Sequence, residues 1–411
     1  MIDKMVRLLR NCAPTRYAAK ACRAALRGWK RLGVRIRRVC PLKGVDISRF
    51  DTVILFENRF GWEKILKQRP QQMAEHFPQN VLFLYHSDHS ADYRTASDRI
   101  RRIRENLYVL DFGCYLGKLT ELFSDHSNKY VMLYSTGYLP QDRARKYRDG
   151  GYRFLYDYVD DIDSRLCGDR LLDRLTEQYA RVLCDPTAVI ITTATRLYEN
   201  VKTQNPRADV HLVSNGVDCA HFQKERFSLP DDLRPIREKY GTVVGYYGAL
   251  ASWFDYDLVA SMCRSNTDCA VVLLGVDYDG TLARSGVTEL PNIFYLGRKD
   301  YAQLPDYVHF FDVCTIPFHI NEITLATSPV KLFEYMAAGK PIVTTRLPEC
   351  EKYRSVLIAD GAVDFSEKIG HAVACGTDPT YQALLRQEAD ENTWERKAQA
   401  VADCLTPVKH G

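Results

Sequence analysis

From residue 51 onward the chain alternates short, nearly continuous apolar runs with amphipathic stretches, and this rhythm limits the fold more than any other feature. The runs are "DTVILF" (51–56), "NVLFLYH" (80–86), "LYVLDF" (107–112), "YVMLYST" (130–136), "YRFLYDYV" (152–159), "AVIITTA" (188–194) and "DVHLVSN" (209–215). A strand that is apolar along its whole length must be buried on both faces. That condition is met by a parallel sheet with helices on either side. The rhythm restarts after residue 216, with "TVVGYYGAL" (242–250), "CAVVLLG" (269–275), "IFYLG" (293–297), "DVCTIPF" (312–318) and "KPIVTT" (340–345). The intervening text predicts helices at 68–77, 301–310, 329–338 and 392–405. Two consecutive doubly wound α/β sheets are expected, joined near "SNGVD" (214–218), where Asn-Gly is a turn signal.

The length agrees: 411 residues exceed one hydrophobic core and suit two domains. The 13 cysteines form no C-x-x-C pair, so neither a zinc site nor a disulfide scaffold is indicated. Such usage fits a reducing cytoplasm. No apolar run reaches the roughly 18 residues of a membrane span.

The net charge of +4 hides an asymmetry. Residues 1–40 hold 12 Lys and Arg against one acid, Asp3, while the rest of the chain carries −7. Met5, Leu8, Leu9 and Cys12, then Ala18, Cys22, Ala25 and Trp29, recur at helical spacing in this arm. A basic amphipathic helix can lie on an anionic membrane surface, pack on its own domain with a solvated basic face, or serve as a nucleic-acid arm. No nucleic-acid-reading module accompanies it, so the expected partner is the membrane surface and not nucleic acid.

"TSPVKLFEYMAAGKPIVTT" (327–345) carries the most chemistry. Ser328 is expected as N-cap with Pro329 at the first helical position, and Gly339 and Pro341 end the helix. The stretch follows a strand, and in open α/β sheets ligands sit beyond the carboxyl ends of strands. A helix tip offers free N–H groups and the positive end of the dipole to an anion. Lys331 on the first turn adds a full charge. Glu334, one turn deeper on the same face, has the chemistry to accept both hydroxyls of a ribose. Phosphate and ribose read together describe a nucleoside diphosphate. The plainer reading is an exposed salt bridge on an ordinary helix.

This stretch resembles the C-terminal signature of GT-B glycosyltransferases, particularly those grouped as family 4. "NGVDCAHF" (215–222), "VGYYGAL" (244–250) and "YLGRKDYAQLPDYVHFFDVCTIPF" (295–318) extend the resemblance over residues 215–345, in order. "QRPQQMAEHF" and "YDYVDDID" (156–163) continue it more weakly into the first half. Within the family the chain looks nearest to bacterial teichuronic-acid and surface-polysaccharide transferases. The resemblance implies a GT-B fold, two facing Rossmann-like doubly wound domains with a cleft between them. The domains would be a basic arm at 1–40, an acceptor domain at 41–214, a nucleotide-sugar domain at 215–388, and a final helix at 389–411 crossing back to the first. Glu334 would hold the ribose. Ser328 and the amides of Val330 and Lys331 would meet the diphosphate, Lys331 would neutralise it catalytically, and Gly248 would let the backbone approach.

The chain also departs from the pattern. Ala326 stands where many members carry a glutamate, with Glu322 nearby but out of register. "ALASWFDYD" (249–257) replaces the usual Arg and Lys, leaving Arg298 as a candidate second cation. An inverting reaction needs a carboxylate base near the acceptor hydroxyl. Asp157, Asp160 and Asp161 follow a strand where such a base can sit, and Asp160 is the preferred one; a solvated loop is the alternative. Arg59 and Arg69 are either anion ligands or surface residues. The two "DYD" triplets (255–257, 277–279) are read as chance, so no metal is expected, and His86 and His89 as loop residues.

The expected activity is metal-independent hexosyl transfer from a nucleoside-diphosphate sugar, UDP-linked before GDP-linked, with no further cofactor. The acceptor would be a growing, lipid-linked surface glycan, and the enzyme cytoplasmic and peripheral on the inner face of the plasma membrane. A nucleotide-sugar epimerase on the same fold and a non-catalytic, glycosyltransferase-like binding subunit are the alternatives.

Overall fold

The computed structural model describes residues 42, 44–63, 67–93 and 99–405. The basic arm expected at 1–40 lies outside the described residues. Among those described, no helix is long and apolar enough to cross a membrane.

The chain forms two compact units. The first comprises Met1–Glu63, Gln79–Val131 and Pro140–Arg153; the second comprises Lys64–Pro78, Met132–Leu139 and Phe154–Gly411. In the first unit, β1 (Thr52–Glu57) pairs in parallel with β2 (Val81–His86), Thr52 opposite Val81. β3 (Ile100–Arg104) runs antiparallel to β4 (Leu107–Leu110), which is parallel to β2. β1 is buried along its whole length, the polar Thr52 and Glu57 at its ends included. β3 was not legible in the apolar pattern: "IRRIR" alternates charge and isoleucine, which suits an edge strand.

β5 (Lys129–Tyr134) begins in the first unit and ends in the second, where β6 (Arg153–Tyr158), β7 (Val189–Thr192) and β8 (Asp209–Leu212) follow. The strand order of this sheet is β3-β4-β2-β1-β5-β6-β7-β8. The second sheet contains β9 (Thr242–Tyr247), β10 (Cys269–Leu274), β11 (Ile293–Gly297), β12 (Val313–Ile316), β13 (Ile342–Thr345) and β14 (Val356–Ala359). Its order is β11-β10-β9-β12-β13-β14, with every pairing parallel. The chain therefore moves outward from β9 through β10 to β11, then returns to the other side of β9. The switch point lies between β9 and β12, where a crevice opens at the carboxyl ends of the strands.

The last helix, Trp394–Asp403, packs against the helix Arg69–His76. Trp394 is fully buried, and Glu395 approaches His76 at 3.2 Å. Two chain segments meet beside it: Val217 N–H donates to Asn392 O, and Trp394 N–H donates to Val217 O, each at 3.0 Å.

Candidate functional site

A cavity of about 410 Å³ in the second unit sits at this switch point. Gly248, just past β9, lines it. So do Phe318, past β12, and the residues Ser328, Pro329, Val330, Lys331 and Glu334 that open the next helix. That helix spans Val330–Ala337 and starts one residue later than expected. Ser328 is not its N-cap. The Ser328 carbonyl and hydroxyl instead accept from Asn215, through Nδ2 at 2.6 Å and the backbone N–H at 3.4 Å. Pro329 takes the cap position and supplies no side-chain oxygen. The first-turn amides of Val330 and Lys331 thus have no acceptor among the described residues. An uncapped tip of this kind suits an anion. Gly339, at φ 65°, ends the helix as expected.

Lys331 is half-buried, and its ammonium lies 5.1 Å from the Phe318 ring centroid and 5.4 Å from that of Tyr246. Burial pushes its pKa down to about 8, while the neighbouring Glu334 charge works in the opposite direction. Gly248 makes room for this lysine. A Cβ there would stand 2.9 Å from Lys331 Cε and 3.0 Å from the Tyr246 hydroxyl, and the backbone has φ 143°, where only glycine is comfortable.

Glu334 is 4% exposed. Tyr301 Oη donates to its Oε1 at 3.1 Å, and Tyr247 Oη donates to its Oε2. Burial raises its pKa; the two tyrosine hydrogen bonds and then Lys331 oppose the rise. The i,i+3 salt bridge of the plainer reading is absent, since Glu334 is engaged by hydroxyls and Lys331 by rings.

Asp157, on β6, and Asp160 and Asp161, which follow it, have separate fates. Asp157 is buried and gripped by Arg69 through Nε and Nη2, both at 2.9 Å. Asp161 accepts from the Tyr158 hydroxyl at 2.9 Å. Asp160 lines the cavity and has no hydrogen-bond partner among the described residues. Burial, then the charges of Asp157 and Asp161, raise its pKa to about 6. Arg69 is therefore a buried framework cation. Arg59 is exposed.

Arg298 is not brought to the cavity. It follows β11, the edge strand two positions from β9, and points into solvent. Asp255 caps the helix Tyr256–Ser265 by accepting from Leu258, while Asp277 accepts from Leu282 and Ala283 and Asp279 from Ser252 and Thr281. Among the described residues, no cluster of three or more His, Cys, Asp or Glu is arranged as a metal site. His86 Nδ1 accepts from Phe112 N–H at 3.1 Å, and His89 is exposed. Tyr247, Tyr301, Asn215 and Trp253 belong to the site, yet only Asn215 had a local signal, its place in the Asn-Gly turn.

Residues 242–374 match the family model described as Glycosyl transferases group 1. Over this segment the chain is similar to that family. The segment contains Gly248, Ser328, Val330, Lys331 and Glu334, whereas Asp160 and Arg69 precede it. The chain is similar to TuaH of Bacillus subtilis (strain 168), named as a glycosyltransferase of teichuronic acid biosynthesis, with 27% identity over 194 residues. The alignment covers 46% of this chain and 48% of TuaH, so the chain spans about half the length of that curated relative. Anabaena HepE, solved with UDP and glucose, superposes with TM-score 0.57 at 13% identity, over 86% of this chain and 99% of HepE. Sucrose-phosphate synthase from Thermosynechococcus elongatus gives 0.59 at 12% identity, over 86% and 98%. A glycosyltransferase from Rickettsia africae gives 0.60 at 11%, over 88% and 99%. The fold shared with these structures is GT-B, with two α/β sheets.

Proposed function

We propose that this chain transfers a sugar from a UDP-sugar to a glycan acceptor. The observation that carries the reading is the open helix tip: an unpaired Lys331 and two free amides, with Glu334 one turn deeper in the same cavity. The diphosphate would rest on the amides and Lys331, and the ribose hydroxyls on Glu334. UDP is the preferred nucleotide because HepE was solved with it. In this reading no metal or further cofactor is needed, since Lys331 and the helix tip meet the charge of the leaving group.

Asp160 is the proposed base. It would take the proton of an acceptor hydroxyl as that oxygen bonds to the anomeric carbon. The bond from that carbon to the β-phosphate oxygen breaks at the same time, and UDP leaves against Lys331. Such a single displacement inverts the anomeric centre. The domain boundaries at 41, 215 and 389 are proposed to separate arm, acceptor domain, donor domain and returning helix. A lipid-linked cell-surface glycan is the proposed acceptor, by analogy with the named role of TuaH. Residues 1–40 would hold the enzyme at the anionic inner face of the plasma membrane.

The test is thermal unfolding with UDP, GDP, ADP and CMP, for the wild type and for Lys331→Ala and Glu334→Ala. A nucleotide at 100 times its Kd stabilises by about 2.7 kcal/mol. A shift with UDP that both variants lose supports the reading. The absence of any shift with the wild type would sink it.

A further inference from the structure

Two residues of the candidate donor site are tied to one face of the helix Arg69–His76. Arg69 opens that helix and Gln72 follows at i+3, on the same side. Arg69 Nη1 donates to Asn215 Oδ1 at 3.3 Å, and Asn215 in turn holds the Ser328 carbonyl at the entry to the donor helix. Gln72 Nε2 donates to Tyr301 Oη at 3.2 Å, and Tyr301 Oη donates to Glu334 at 3.1 Å. Gln72, Tyr301 and Glu334 are all buried. The Tyr301 ring is fixed by stacking on His221, with centroids 4.2 Å apart and planes 5° apart.

An ionised carboxylate has about four acceptor positions. Tyr301 and Tyr247 occupy one on each oxygen of Glu334. One remains on each oxygen, which suits two neighbouring hydroxyls. Every hydrogen bond made to Glu334 requires it to be an acceptor, so the tyrosines favour the ionised form against the penalty of burial.

We propose that Tyr301, held by Gln72, is a positioning residue that keeps Glu334 oriented and ionised for the ribose of the donor. The inference rests on the donor reading above. The groups that face Glu334 are Tyr247 on β9, Tyr301, and Lys331 on its own helix. Removing the Tyr301 hydroxyl lets burial raise the Glu334 pKa further, so the acceptor is lost at the acid side first. Lys331 titrates in every variant and cancels when each is compared with wild type at the same pH.

UDP binding is measured by titration calorimetry at about pH 6 and about pH 8, with wild type, Tyr301→Phe and Gln72→Met. Phenylalanine preserves the stack on His221, and ligand-free melting checks that both variants fold. Because the loss grows as Glu334 becomes protonated, Tyr301→Phe is expected to weaken UDP severalfold, and more at pH 6 than at pH 8. Gln72→Met is expected to move the same way by a smaller factor. Wild-type affinity in Tyr301→Phe, or an equal loss at both pH values, overturns the inference while leaving the donor site standing. Wild-type affinity in Gln72→Met removes Gln72 from it. A wild-type chain that binds no UDP overturns the donor reading and this inference together.

Discussion

Two cation–carboxylate pairs stand at one cavity, which Arg69, Lys331 and Glu334 line, and they are built in opposite ways. Arg69 and Asp157 are 3% and 1% exposed and share two hydrogen bonds of 2.9 Å. Lys331 and Glu334 sit one turn apart on one helix and do not pair; the lysine rests on two rings and the carboxylate on two hydroxyls. The first pair is closed: both charges are consumed within the fold, and Arg69 spends its remaining donors on Ser214 and Asn215. The second is open, with charges that a ligand can still use. A buried closed pair acts as framework, because losing either partner strands a charge in a poor solvent. An open pair is tolerated at a cost, seen in the opposed pKa shifts of Lys331 and Glu334, and such shifts concentrate at functional sites.

The largest effect should come from breaking the closed pair. Arg69→Ala leaves Asp157 buried and alone, and is expected to destabilise the protein by about 3–5 kcal/mol in chemical denaturation. A loss below about 1 kcal/mol would erase the distinction drawn between the pairs.

The next test falls on Asp160, three residues from Asp157 and free. Asp160→Asn should lower transfer about a thousandfold while UDP still binds. Asp157→Asn, by contrast, should act through stability. If Asp160→Asn retains wild-type turnover, the base lies elsewhere.

Lys331→Ala should reduce turnover about a hundredfold without lowering the melting temperature, since it removes a charge that the fold does not pair. A melting temperature that falls as it does for Arg69→Ala would mean that Lys331 is framework too.

The smallest effect is the pH dependence, which sharpens the comparison. Asp160 must be ionised to accept a proton, so kcat/KM should fall below about pH 6. Lys331 must be charged, so kcat/KM should also fall above about pH 8. Each limb changes about tenfold per pH unit. Lys331→Arg should move the alkaline limb upward; an unmoved limb would assign it to another group.

Much of this was legible before any coordinates. The uninterrupted apolar runs read as parallel strands because burial on both faces leaves no room for polar alternation; β2, β9 and β10 lie inside the runs that predicted them, and β1 extends its run by one residue, Glu57. β3 was missed for its charges; β14 was missed although it is as long as β12 and β13. Lys331 and Glu334 were found because a helix of 3.6 residues per turn sets i and i+3 on one face wherever it is placed. Asp160 was preferred among three acids, but the reason that separates them was not legible. Asp157, Asp160 and Asp161 are equivalent as letters, and only Arg69, 88 residues earlier in the chain, distinguishes the first of them. Arg298 is exposed, whereas Tyr301, three residues further on, lines the cavity; which residue after β11 turns inward is not written locally.

By itself, then, the sequence determined what repeats over a few residues: strand periods, and the helix with its lysine and glutamate. The tertiary structure alone decided which charges are spent and which are left. Pairing across 88 residues, or the contact of Gln72 with Tyr301 across 229, depends on where the folded chain brings distant segments together. No local spacing encodes that, because burial and partnership are properties of the assembled interior.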